Sequence, residues 1–179
     1  MTRATNARLA GFTFLLYIAA GVALMALGSA GAEGTAAKLA HVVLSLLANF
    51  SALVLAVTLY AITRDVDADV AMLGLACRVA EGVLGAMPGD SMLITATFFA
   101  VGSLLFCWLL LRGRMIPVPL AWLGVVASIL LVVGLPLQLA GFLHGTVTMI
   151  MWLPMAAFEV PLGVWLMIKG VATPPTQRA

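Results

Sequence analysis

The chain has 179 residues, of which 64% are hydrophobic and 9% charged, and its mean hydropathy is +1.17. Soluble domains run near about 45–50% apolar and about 25% charged, so this composition excludes a soluble globular protein and predicts an integral membrane one. The formal charge of +2 comes from few groups, with no basic stripe interleaved with aromatics, which excludes nucleic acid as a partner.

A membrane-spanning helix needs about 20 apolar residues, and the chain divides into six such stretches. They predict an all-α transmembrane bundle in a single domain, residues 1–179, with spans at about 9–31, 40–62, 70–87, 92–111, 119–142 and 147–169. The first follows Arg3 and Arg8 and ends in Ala30-Gly31-Ala32, which looks like a signal-peptide cleavage site. Its apolar run from Leu9 is longer than the roughly 7–15 residues of a signal core, so a retained span is expected. The second span carries Asn49, and the third carries Cys77, Arg78 and Glu81 behind Asp69, a candidate N-cap. Asp90-Ser91 is a similar candidate ahead of the fourth, which contains Cys107. Both cysteines lack metal or redox spacing and read as small buried hydrophobes. The fifth span holds Pro136 and Gln138, and the sixth holds Pro154, Glu159 and Pro161.

The breaks between spans are Gly-, Pro- or charge-rich, as in Thr63-Arg64-Asp65-Val66-Asp67, Pro88-Gly89-Asp90 and Arg112-Gly113-Arg114. Such short connections predict antiparallel neighbours. With a cytoplasmic N-terminus, Arg3, Arg8, Arg64, Arg112, Arg114, Lys169 and Arg178 all fall inside and only Lys38 outside. The positive-inside rule therefore predicts an N-in/C-in arrangement. Gly141 to Gly145 has GxxxG spacing at a span end and reads as close helix packing, with oligomerisation left open.

Charges inside a span are costly and face a partner or a wet cavity. At about 1.5 Å of rise per residue, Arg78 lies roughly 13 Å and Glu81 roughly 18 Å beyond Asp69, Glu159 roughly 15 Å from Lys169, and Asn49 roughly 19 Å from Ile62. All four therefore meet near the midplane and form the predicted polar pocket. Arg78 and Glu81 are spaced i, i+3 and can pair on one helix face. Two Glu and one Arg leave a formal charge of −1. An uncompensated charge in such a place is expensive, so Glu159 is expected to hold or exchange a proton. Pro154 and Pro161 flank Glu159 and free the carbonyls of Ile150 and Ala157, as in the discontinuous helices of transporters or in a simple kink.

His41 and His144 both map to the outer face, where two imidazoles at one level could hold a haem or a metal, but they read first as interfacial histidines, with Glu33 and Asp90 the further ligands in nearby loops. No metal is expected, and the residues specify no cofactor. The methionines read as adaptable packing.

Three stretches carry a family likeness: Leu59 to Gly85 with its Arg78-x-x-Glu81 step, Ile116 to Gly134 with Pro followed by Trp-Leu-Gly, and Phe158 to Val171 with Glu159, Trp165 and Lys169-Gly170. From about Arg8 to Val171 the chain resembles the bacterial membrane proteins of domain of unknown function 4386. The third span is abbreviated, and Pro161 is outside the pattern. The resemblance implies a multi-span protein of the bacterial plasma membrane and brings no activity with it. Three functions remain open on the residues alone. The first is binding or transport of a small or lipophilic molecule, coupled or not to protons. The second is an intramembrane isomerase or cyclase using a Glu as general acid or base, and the third is an accessory subunit in which the charges only lock helices together. The expected partners are the lipid bilayer and a small lipophilic ligand.

Overall fold

The computed structural model describes residues 2–31, 34–87 and 92–173. Glu33, the Pro88-Gly89-Asp90 break, Ser91 and Arg178 lie outside the described residues. Within them the chain is helical: α1 (Arg3–Ser29), α2 (Thr35–Thr63), α3 (Ala68–Gly85), α4 (Met92–Arg112), α5 (Val118–Leu139), α6 (Thr146–Ile150) and α7 (Leu153–Ile168). A helix covers each expected stretch with ends shifted by up to six residues, and the sixth stretch is divided between two helices. Helix α6 stops at Met151–Trp152, and Pro154 then occupies the first turn of α7, where its missing N–H costs nothing. Pro161 is accommodated inside α7 without a break.

Two local expectations are corrected. Asp67, not Asp69, caps α3, accepting from the Val70 amide at 3.2 Å, while Asp69 lies in the first turn and favours the positive end of the helix dipole. Gly141 and Gly145 both have positive φ, 81° and 65°, in the turn between α5 and α6. They shape a reversal and form no GxxxG helix face.

Each helix packs on its neighbours in the order α1, α2, α3, α4, α5, α7, and α7 returns to α1 to close a ring. Contacts at one end fix the alternation of direction. Arg3 of α1 reaches Asp65 at 2.7 Å, Arg112 of α4 reaches Asp67 at 3.1 Å, and the Ala172 amide donates to the Met115 carbonyl at 2.9 Å. The start of α1, the α2–α3 and α4–α5 turns and the end of α7 thus gather at one basic end. Helices α3 and α7 stand across the ring from each other.

Close approach explains several small residues. A Cβ on Gly11 would lie 2.6 Å from the Gly163 carbonyl oxygen and the Met167 amide nitrogen, so α1 and α7 touch backbone to backbone where the ring closes. A Cβ on Gly124 of α5 would lie 2.5 Å from the Phe158 ring. Such contacts suit helices packing in lipid, where no hydrophobic force acts between them.

The basic half of the ring is filled by Phe14, Leu55, Ile62, Leu110, Phe158 and Leu166, all buried. The other half is looser: no residue of α1 beyond Ala20, of α2 before Ala48, or of α4 before Phe99 is buried. Large apolar side chains, including Phe50, Val57, Val83, Trp122, Val133 and Ile168, cover the outside, as on a surface facing lipid. Among the described residues, helices α1, α2, α4, α5 and the Thr146–Ile168 unit are long and apolar enough to cross a membrane, five in all. This is the pattern of a multi-pass membrane protein. The expected sixth crossing, α3, is distinct, because its 18 residues include Asp69, Arg78 and Glu81.

The ring closure makes a direct prediction. Gly11→Ala should destabilise the fold by about 1–3 kcal/mol, the usual cost of forcing atoms into a filled interface. Gly21→Ala, on the same helix but with open space around it, should be neutral or slightly stabilising. Thermal unfolding of the two variants in detergent checks the contrast.

Candidate functional site

The buried face of α3 runs Ala71, Gly74, Cys77, Arg78, Glu81, Gly82, a helical stripe with two charges in it. Arg78 is only 2% exposed. Its aliphatic stem lies on Gly102 of α4, where a Cβ would come within 3.0 Å of Cγ and Cδ. The guanidinium sits 4.8 Å from the centroid of the Phe99 ring and 5.9 Å from that of Tyr17, within cation–π range. Its Nη1 is 2.8 Å from Oε2 of Glu81. This ion pair is close but poorly aligned, leaving Nη1 and Nε of Arg78 and Oε2 of Glu81 without a hydrogen bond. The other oxygen of Glu81, Oε1, accepts from the Tyr17 hydroxyl at 3.3 Å.

Glu159 projects from the opposite side of the ring. The inward face of α7 is Met155, Phe158, Glu159, Leu162, Gly163 and Leu166. Glu159 is 9% exposed, and its buried Oε1 makes no hydrogen bond. The ion pair formed by Arg78 is with Glu81. Ile150 and Ala157, whose carbonyls the prolines were expected to free, are exposed residues and neither lines the cavity beside Glu159.

Both carboxylates border one cavity of about 230 Å³, lined by Tyr17, Glu81, Met92, Thr95, Ala96, Phe99, Trp152 and Glu159. It extends to Met92, which is 82% exposed, on the loosely packed side of the ring. Phe99 and Trp152 meet along its wall with ring centroids 5.9 Å apart and a tilt of 35°. Thr95 contributes a further buried oxygen without a partner, Oγ1. Arg78 is not part of this lining. It borders a separate space of about 20 Å³ with Ser103, Phe106 and Cys107, deeper towards the basic end.

The other sequence candidates fall elsewhere. Asn49 is half-buried where α2 meets α3, with its Oδ1 facing the position a Cβ on Gly85 would take, 3.6 Å away, and does not line the cavity. His41 and His144 are both exposed, on helices α2 and the turn after α5, which are not packing neighbours. Among the described residues no group of three or more His, Cys, Asp or Glu could hold a metal. Cys77 and Cys107 are free and buried.

Residues 86–170 match the family described as Domain of unknown function (DUF4386). The match to DUF4386 is confined to that stretch. The DUF4386 segment contains Thr95, Phe99, Trp152 and Glu159, and with them two of the three stretches that carried the likeness. The third, Leu59 to Gly85 with Arg78 and Glu81, lies outside the match, as do Asn49 and Tyr17. No curated protein and no solved structure matches the chain.

Tyr17, Thr95, Phe99 and Trp152 were not singled out by the sequence reading. Tyr17 carried a signal: tyrosine favours the membrane–water interface, and this one lies near the middle of a 27-residue helix. Thr95, Phe99 and Trp152 look like ordinary span residues until the ring places them together.

The two glutamates should respond differently to neutral replacement. Glu81→Gln strands the Arg78 charge in the core and should cost about 3–5 kcal/mol, the range for breaking one side of a buried pair. Glu159→Gln should change stability by less than about 1 kcal/mol, since no partner is lost. Thermal unfolding of both variants in detergent measures the difference.

Proposed function

We propose that this protein binds a small molecule in the cavity between α1, α3, α4 and α7, with Glu159 as the group that contacts it. The observation that carries this reading is the Glu159 Oε1 atom, buried without a hydrogen bond against a cavity that reaches exposed Met92. A buried polar group costs free energy unless it is paired, so a native site that keeps one unpaired beside open space fits a ligand better than a lock. A purely structural triad would bring Arg78 onto both carboxylates and close the space, whereas here Arg78 pairs with Glu81 alone.

In this reading α3 is a sixth crossing, because 18 residues at about 1.5 Å each span roughly 27 Å. Its charges face the ring interior. The basic end, with Arg3, Arg64, Arg112, Arg114 and Lys169, is cytoplasmic by the positive-inside rule, which gives an N-in/C-in single-domain protein of the bacterial inner membrane whose cavity opens outward. A proton is the smallest cation that satisfies Glu159, so the empty site holds one and gives it up when a ligand arrives. That exchange is the basis for proton-coupled transport.

Accessibility tests this. Ala96 lines the cavity without taking part in its polar contacts, and both native cysteines are buried. Ala96→Cys should therefore react with a small membrane-impermeant methanethiosulfonate added outside intact cells, against an unreactive parent protein. Failure to react from that side would remove the outward-open cavity.

A further inference from the structure

The chemistry lining the cavity narrows what it holds. We infer that its ligand is a small protonated amine with a compact apolar body, a deepening that rests on the binding reading above.

Charge is the first argument. Glu81 and Glu159 both border the cavity, while the neutralising Arg78 stands outside its lining and contacts the Phe99 ring at 4.8 Å. An entering anion would meet two acidic side chains and no cation. With Glu81 balanced by Arg78 at 2.8 Å, the carboxylate left to compensate is Glu159, which calls for a single positive charge.

Hydrogen bonding is the second. Apart from Oε2 of Glu81, which the Arg78 guanidinium faces at 2.8 Å, the lining residues carry two unpartnered buried oxygens, Oε1 of Glu159 and Oγ1 of Thr95. An ammonium group offers up to three donors and no acceptor, which suits oxygens left without a partner, and in this assignment it donates to both. A metal ion is a poor alternative, because two carboxylates, one already engaged by Arg78 and Tyr17, give too few free ligands. A proton alone would satisfy Glu159 and leave Thr95 as it is.

The walls supply the third argument. Tyr17 and Trp152 present aromatic surface beside the acidic groups, a combination that favours organic cations through ring electrostatics. Trp152 is placed there by the interruption between α6 and α7. A volume of about 230 Å³ is below the usual range for drug-sized ligands, about 300–1,000 Å³, so the apolar body is small.

The test uses full-length Ala96→Cys protein in detergent, with three probes of one shape: phenethylammonium, 2-phenylethanol and phenylacetate. Protection of the thiol from labelling and calorimetric binding are read together. Phenethylammonium should protect saturably and bind at least about tenfold tighter than the alcohol, the value of a charge-assisted hydrogen bond over a neutral one. Phenylacetate should not protect. Glu159→Gln should bring amine and alcohol to equal affinity, and Thr95→Val, which removes only the second oxygen, should weaken the amine by about fivefold. Protection by the alcohol or the acid equal to that by the amine would overturn the cation assignment while leaving the binding site standing. An amine preference that survives Glu159→Gln would overturn it as well. Labelling at Ala96→Cys that none of the three slows would count against the cation, and no labelling at all would remove the site itself.

Discussion

A guanidinium enclosed by apolar helices has to be neutralised within a few ångströms, and Arg78 finds its partner on its own helix, where Glu81 lies one turn away at 2.8 Å. The rest of the interior follows from that pairing. Because Arg78 is balanced locally, nothing compels α7 to bring Glu159 onto it. The two sides of the ring can stay apart, and the space between them is the cavity. A self-contained pair in α3 and a lone carboxylate in α7 make a different molecule from three charges tied into one knot.

The surrounding packing holds this asymmetry in place. Gly102 gives the Arg78 stem a groove to lie in, and Phe99 covers the guanidinium on the cavity side. Gly11 and Gly163 bring α1 against α7, which positions Tyr17 to donate to Glu81 from the first helix. At the basic end, Asp65 and Asp67 tie Arg3 and Arg112 to the α2–α3 turn, so that half of the ring is pinned while the other half keeps its loose packing. The cavity lies at the boundary between the two.

The helices were legible in the sequence because their apolar stretches are long and their breaks are polar, and both signals are local. The Arg78–Glu81 pair was legible for the same reason, since i, i+3 spacing on one helix needs no tertiary knowledge. Depth counting from the helix ends set Glu159 near the level of Glu81, and both side chains border one cavity. The count could not say on which side of the bundle each residue sits, and that is where the reading departed from the structure. Asn49, at a suitable depth, turned to the α2–α3 contact instead of the interior. Ile150 and Ala157 fall at exposed positions, away from the cavity lining. Tyr17, Thr95, Phe99 and Trp152 entered the site only because ring order places α1, α4 and the α6–α7 break around it, and ring order is a property of many weak helix contacts that no short motif encodes. The family match, which begins at residue 86, likewise covers Glu159 and the aromatic wall but not the ion pair opposite.

The central claim is that Arg78 is energetically bound to Glu81 and largely independent of Glu159. Double-mutant cycles on thermal stability in detergent, pairing Arg78→Met with Glu81→Met and then with Glu159→Met, measure it directly. The account predicts a coupling of about 2–3 kcal/mol for Arg78 with Glu81 and less than about 0.5 kcal/mol for Arg78 with Glu159. Equal couplings, or a larger one to Glu159, would contradict it and make the three charges a single structural lock.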